Sequence, residues 1–160
     1  SRFSGGVHRL EFYTDNEMEQ IVKRSSLLLG TEADNEAVTE IAKRSRFTPR
    51  TANYFLKRAR DYAQINKEKL GKDNVKKALE LLGVDHLGLF ESDRVLLRTI
   101  IEKFHGGPVG LNTLAAATSE EEATIEEVIE PYLLRLGLLE RTPRGRTATE
   151  KAYEHLNIKK

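Results

Sequence analysis

The sequence predicts a mainly α protein: a four-helix bundle followed by a winged-helix domain that carries a short β-hairpin wing. Three observations lead there. From residue 14 onward, apolar residues recur at helical spacing in successive blocks, punctuated by capping residues and glycines. After residue 91 the order becomes helix, short strand, helix, helix, hairpin, which is that of a winged-helix domain. Finally, Pro143-Arg144-Gly145 is a tight-turn composition between two β-compatible runs, Leu138 to Thr142 and Arg146 to Thr149.

Ser1 to Tyr13 opens with Ser4-Gly5-Gly6, a loop by composition, and continues into Val7-His8-Arg9-Leu10-Glu11-Phe12, which alternates as a strand does. A lone strand needs a sheet, and no later segment offers an obvious partner, so the chain is expected to be cut from something larger. Helix follows from Thr14 or Asp15, with Glu17 placed for a capping box and Met18, Ile21, Val22, Ser25, Leu28 and Leu29 at core spacing up to Gly30. A second helix, Asn35 to Ser45, buries Ala37, Val38, Ile41 and Ala42. A third runs from Pro49 to about Ile65 with Thr48 as N-cap, and its inner face is Ala52, Phe55, Leu56 and Ala59. The fourth starts at Gly71-Lys72-Asp73 and presents Val75, Ala78, Leu79 and Leu82. Residues 14–84 therefore form one bundle with its own core, and residues 85–91, which lack periodicity, form the linker.

In residues 92–160, Ser92 or Asp93 caps a helix with Val95, Leu96, Thr99, Ile100 and Phe104 inside, and Gly106-Gly107-Pro108 ends it. Val109-Gly110-Leu111 reads as a short strand and Thr113 to Ala117 as a compact helix. Thr118 or Ser119 then caps a longer helix whose core face is Ile125, Val128, Ile129, Tyr132, Leu133 and Leu136. Pro131 is expected to kink it. The hairpin follows, and Glu150 to Leu156 is a last short helix.

Composition narrows the functions. The 26 Lys and Arg against 25 Asp and Glu leave a net charge of +1, so any nucleic-acid signal must be local. It is local at the carboxy end: Arg141, Arg144, Arg146, Lys151, Lys159 and Lys160 face only Glu150 and Glu154, six against two. Arg141, Arg144 and Arg146 are expected around one exposed hairpin tip, suited to phosphates, although a basic hairpin also serves merely to solubilise. The third helix of this domain carries Glu120, Glu121, Glu122, Glu126, Glu127 and Glu130, and no Lys or Arg lies between Phe104 and Leu134. Phosphate would be repelled there, so the wing, not this helix, is where nucleic acid should meet the chain. An acidic helix that docks a protein partner is the competing reading.

Arg50 occupies the first turn of its helix, where a cation opposes the helix dipole at a cost of about 0.3 to 1 kcal/mol unless an anion is nearby. Backbone donors beside a guanidinium suit a phosphate, and a solvated arginine is the plainer alternative. Zero cysteines exclude disulfides and zinc knuckles and allow an intracellular setting. His8, His86, His105 and His155 lack carboxylates at metal-ligand spacing, no Gly-x-x-x-x-Gly-Lys-Ser/Thr loop occurs, and no apolar run approaches the roughly 18 residues of a membrane span. The chain reads as soluble and cytoplasmic, with no complete active site.

Several motifs in order now point to a family. Arg9-Leu10-Glu11-Phe12-Tyr13, Thr48-Pro49-Arg50, Ala52-Asn53, Gly106-Gly107-Pro108-Val109-Gly110-Leu111, Glu130-Pro131-Tyr132-Leu133 and Arg141-Thr142-Pro143-Arg144-Gly145-Arg146 resemble the carboxy-terminal half of the bacterial RuvB family. These are AAA+ motors of Holliday-junction branch migration in recombination and repair. The resemblance implies that residues 1–13 are a remnant of the large ATPase domain, 14–84 the helical lid and 92–160 the DNA-binding winged helix. It implies that Arg50, following Pro49, is the sensor-2 arginine at the nucleotide phosphates, that Arg2 is an arginine finger acting in trans, and that Arg141, Arg144 and Arg146 bind the DNA backbone.

It further implies ATP and Mg²⁺ as cofactors, Holliday-junction DNA and RuvA as partners, and a homohexamer, all for the full-length protein. The segment in hand lacks Walker motifs and is expected to be monomeric, to bind no nucleotide tightly and to hydrolyse no ATP alone. The sequence departs from the family pattern at Phe47, where glycine is usual, and at Ser4-Gly5-Gly6, one residue longer than usual.

Overall fold

Thr14 opens the first helix with a reciprocal cap. Its hydroxyl accepts from the Glu17 amide at 3.2 Å while the Glu17 carboxylate accepts from the Thr14 amide at 3.0 Å, satisfying donors that the helix itself leaves free. The same bonds, the backbone one first, hold the Glu17 carboxyl below its usual range. The computed structural model describes residues 12–160. Arg2, and all but the last residue of the strand expected over 7–12, lie outside the described residues. The chain divides into two units between Leu89 and Phe90.

The first unit is the expected bundle: α1 (Asp15–Leu28), α2 (Asn35–Arg44), α3 (Pro49–Ile65) and α4 (Lys72–Leu81). Its core is built from Met18, Val22, Val38, Ile41, Phe55, Leu56, Val75 and Leu79. The Asp34 carboxylate caps α2 by accepting from the Ala37 amide at 2.8 Å, and the Asp34 amide donates to the Leu70 carbonyl at 3.2 Å, tying the α1–α2 loop to the α3–α4 loop. The faces expected of α2 and α3 are the ones buried. On α1 the inward stripe is Met18, Val22 and Ser26, at steps of four, so Leu28 falls off its edge and is 79% exposed. An ion pair that the apolar pattern could not announce, Glu40 to Arg44 at 2.6 Å, is buried along α2.

The segment expected to link the units is hydrogen-bonded at its start. The Asp85 carboxylate accepts from the Leu87 and Leu89 amides at 2.9 and 3.0 Å, Arg46 donates to the Gly88 carbonyl at 3.3 Å, and Val84 and Leu89 are buried.

The second unit begins with α5 (Glu91–Lys103). Phe90, not Ser92 or Asp93, takes the N-cap position, and Asp93 acts from the third residue of the helix, its carboxylate accepting from the Phe90 amide at 2.7 Å. α6 (Leu111–Thr118) follows a loop in which Gly107 has φ +98°, and a Cβ there would stand 2.4 Å from the Arg146 carbonyl oxygen. Only glycine permits that approach. The strand expected at Val109-Gly110-Leu111 reduces to one antiparallel bridge between Val109 and Arg146.

The long helix expected next is interrupted. Ser119 closes α6 in the left-handed region and Glu121 is the N-cap of α7 (Glu122–Thr124), which runs into a π-helix over Ile125–Ile129 and then α8 (Glu130–Arg135). A widened turn directly precedes Pro131, the residue expected to kink the helix. Proline gives no N–H, and its ring crowds the carbonyl four residues back; a turn closed by the Glu130 amide on the Ile125 carbonyl accommodates both. The faces shift with it. Val128, expected inside, is 59% exposed, and Glu130, expected on the acidic surface, is 1% exposed.

The hairpin pairs β1 (Leu139–Thr142) with β2 (Gly145–Ala148) in antiparallel register, Arg141 opposite Arg146 and Thr142 opposite Gly145. α9 (Glu150–His155) closes the unit over a core of Leu96, Leu97, Ile100, Leu114, Ile125, Ile129, Leu133 and Ala152.

Candidate functional site

The wing is assembled from its turn outward. The Thr142 hydroxyl donates to the Gly145 carbonyl at 2.9 Å and accepts from the Arg144 amide at 3.2 Å, which fixes the two-residue tip Pro143-Arg144. Gly145 has φ +133°, and a Cβ on it would lie 2.4 Å from the Val109 carbonyl oxygen, so the hairpin passes Val109 only because this residue is glycine. β2 is then held from the side opposite β1. The Val109 amide donates to the Arg146 carbonyl at 3.0 Å and the Arg146 amide donates to the Val109 carbonyl at 2.7 Å.

Arg141 and Arg144 are exposed at this tip, and among the described residues no carboxylate is paired with either. Arg146 is different. The expectation of three exposed guanidiniums at the tip does not hold, because the Arg146 side chain turns inward and is only 8% exposed. Its Nε donates to Glu130 Oε2 at 2.6 Å and its Nη2 to Oε1 at 3.2 Å, a two-pronged pair. The bond to Glu130 raises the Arg146 pKa, burial lowers it, and the charges of Glu130, Glu126 and Glu122 raise it further. Drawing Arg146 out to a phosphate would strand Glu130 inside, at about 3 to 5 kcal/mol.

One further cation at this end is also bonded. Lys151 donates to the Leu136 carbonyl at 2.7 Å, and so serves the end of α8. On the acidic helix, Glu121, Glu122, Glu126 and Glu127 remain exposed while Glu130 does not. The sequence could not reveal the Glu130–Arg146 pair, since the two stand 16 residues apart and only the π turn brings Glu130 inward.

In the first unit, α3 begins as expected, with Thr48 as N-cap and Pro49 at its first position. The Thr48 hydroxyl makes no cap bond; it pairs with the Thr51 hydroxyl at 2.8 Å. Arg50 is exposed in the first turn, and among the described residues no carboxylate pairs with it. The helix start keeps its positive end open beside a free guanidinium, an arrangement able to receive an anion. Further along α3, Asp61 pairs with Arg58 at 2.9 Å and Arg60 at 3.2 Å, and beyond it Glu68 accepts from the Asn74 side chain at 2.5 Å. Arg46 and Phe47, just before α3, both have positive φ, 60° and 56°, the region that favours glycine. Here the Phe47 ring meets the Phe12 ring edge-on, centroids 6.0 Å apart.

Residues 13–85 match the RuvB AAA lid domain family and residues 86–157 the RuvB C-terminal winged helix domain family. The chain belongs to the RuvB family. It is 54% identical over 160 residues to the Holliday junction branch migration complex subunit RuvB of Koribacter versatilis, covering 99% of this chain and 44% of that protein. The subunit of the same name from Chloroflexus aggregans is 56% identical over 154 residues, covering 95% and 44%. The Thermotoga maritima RuvB Holliday junction branch migration motor superposes with a TM-score of 0.92 at 50% identity, covering 94% of this chain and 51% of that one. The chain thus spans less than half the length of the curated relatives and corresponds to the RuvB lid and winged-helix domains. No helix among the described residues is long and apolar enough to cross a membrane.

Proposed function

We propose that this chain is the nucleotide-sensing and DNA-holding part of a RuvB motor, working in ATP-dependent Holliday-junction branch migration. The observation that carries the proposal is the wing: Arg144 exposed in the two-residue turn and Arg141 exposed on the strand leading into it, with the neighbouring helix acidic. Such a tip contacts phosphates without reading bases, which suits a motor that must move along any sequence. Arg50, at the open start of α3, is the sensor-2 residue in this reading, and Pro49 sets its place on the first turn. Arg2 is the arginine finger for a neighbouring subunit. Both would set a fixed cation against charge developing in phosphoryl transfer. ATP and Mg²⁺ are held by the part of the relatives that this chain does not span, as is the contact with RuvA, and the assembly is a hexamer.

Titration of the 160-residue chain against two mixed-sequence duplexes of unrelated sequence at low salt tests the proposal. Equal affinity for both, lost in the Arg141→Ala/Arg144→Ala double variant, is expected. No binding, or binding indifferent to those substitutions, would turn the reading toward protein docking on the acidic helix, where Val128 is 59% exposed among Glu122, Glu126 and Glu127.

A further inference from the structure

Arg50 stands at the end of a short connection between α2 and α3 whose freedom can be followed residue by residue. Pro49 has its φ locked by its own ring and keeps the residue before it extended, and Thr48 is extended, at φ −125° and ψ 134°. At the other end Ser45 is fully buried and closes α2, its hydroxyl donating to the Ala42 carbonyl at 2.7 Å. The soft torsions that decide where α3 begins, and so where Arg50 stands, are those of Arg46 and Phe47, both in the left-handed region. Each is held from a distant segment. Arg46 is buried, and its guanidinium donates to the Gly88 carbonyl at 3.3 Å. The Phe47 carbonyl accepts from the Tyr13 amide at 3.2 Å, which fixes the peptide plane leading into Thr48, and the Phe47 ring meets that of Phe12 edge-on. Glycine at this position, as in the family pattern, would take the same φ without strain but would offer Phe12 no ring to hold.

We propose that Phe47 is a positioning residue for Arg50: by clasping Phe12 it sets the first turn of α3, so that the guanidinium and the amides that Thr48 leaves without a side-chain cap face one anion together. Phe47 itself touches no anion. The inference rests on the reading of Arg50 as a phosphate ligand. It makes the affinity of that site depend on the entry of the chain at Phe12 and Tyr13, and it gives the strained backbone at Phe47 a purpose, since strain of this kind persists where surrounding contacts over-determine it.

Inorganic tripolyphosphate titrated into the 160-residue chain, followed by the amide resonances of Arg50 and Thr51, tests this. Arg50→Ala should abolish the response. Phe47→Gly should weaken binding about threefold to fivefold through lost preorganisation, with an unfolding midpoint near that of wild type, because relief of the left-handed strain offsets the lost ring contact. Affinity lost at unchanged stability is the mark of positioning, which a merely structural role would not leave. Phe47→Tyr, which keeps the ring, should bind as wild type does. Phe12→Ala should match Phe47→Gly, and the double variant should be no weaker than either, since both remove the same contact. Wild-type affinity in Phe47→Gly would overturn the proposal while leaving Arg50 its anion. No response at Arg50 and Thr51 in the wild-type chain, or a response that survives Arg50→Ala, would remove the anion site and the proposal with it.

Amide exchange provides an arm that needs no anion. The Tyr13 amide bonds to the Phe47 carbonyl and the Thr48 amide to the Ser45 carbonyl at 3.3 Å, so both report on the turn. Their protection should drop together in Phe47→Gly and in Phe12→Ala and be kept in Phe47→Tyr. Equal protection in all of these proteins would show that the rings hold nothing in place, which overturns the proposal whatever the titration gives.

Discussion

Phe47 places a ring where the backbone favours glycine. With φ +56° it pays the cost of the left-handed region, roughly 1 to 2 kcal/mol, directly before the cap of α3. Two contacts offset this. The Tyr13 amide donates to the Phe47 carbonyl at 3.2 Å, and the Phe12 ring meets the Phe47 ring at an interplanar angle of 75°. The edge-on contact is worth about 0.5 to 1.5 kcal/mol beyond the area it buries. Thermal or denaturant unfolding of Phe12→Ala, Phe47→Ala and the double variant should therefore give a coupling of about 1 kcal/mol. Additive effects would mean that the rings stabilise Phe47 independently of each other. The entry of the chain at Phe12 is thus linked to the turn that delivers Thr48, Pro49 and Arg50.

At the scale of elements, the helices were legible and their interruptions were not. Period and caps located α1 through α4, because amphipathic stripes and cap chemistry are written in neighbouring residues. The π turn depends on how Pro131 is accommodated, and the burial of Glu130 depends on Arg146 reaching it from another element, so composition placed both residues on the surface. The hairpin itself was legible from Pro143-Arg144-Gly145, but which arginine faces water was decided by Val109 and Glu130. Gly145 holds that arrangement. Gly145→Ala places a methyl 2.4 Å from the Val109 carbonyl oxygen, backbone against backbone, at positive φ. A loss of about 2 kcal/mol or more is expected in unfolding of the second unit, with amide protection at Val109 and Arg146 lost first. Unchanged stability would mean that the loop can move aside and that the close approach is not required.

Over the whole molecule, a net charge of +1 conceals a division of labour. Acidic side chains cover the helix that winged-helix domains commonly place in the major groove, and buried or capping bonds occupy Arg146 and Lys151. The exposed cations of the wing are Arg141 and Arg144, and Arg50 is exposed in the first turn of α3 on the first unit. The central claim is that those two wing residues make the DNA contact by charge. Counterion release measures this directly, since each phosphate neutralised on duplex DNA adds about 0.9 to the slope of log affinity against log salt. Duplex titrations of the wild-type chain and of Arg141→Ala/Arg144→Ala across a salt series should differ in slope by about 1.8. Equal slopes in the two proteins would contradict the claim.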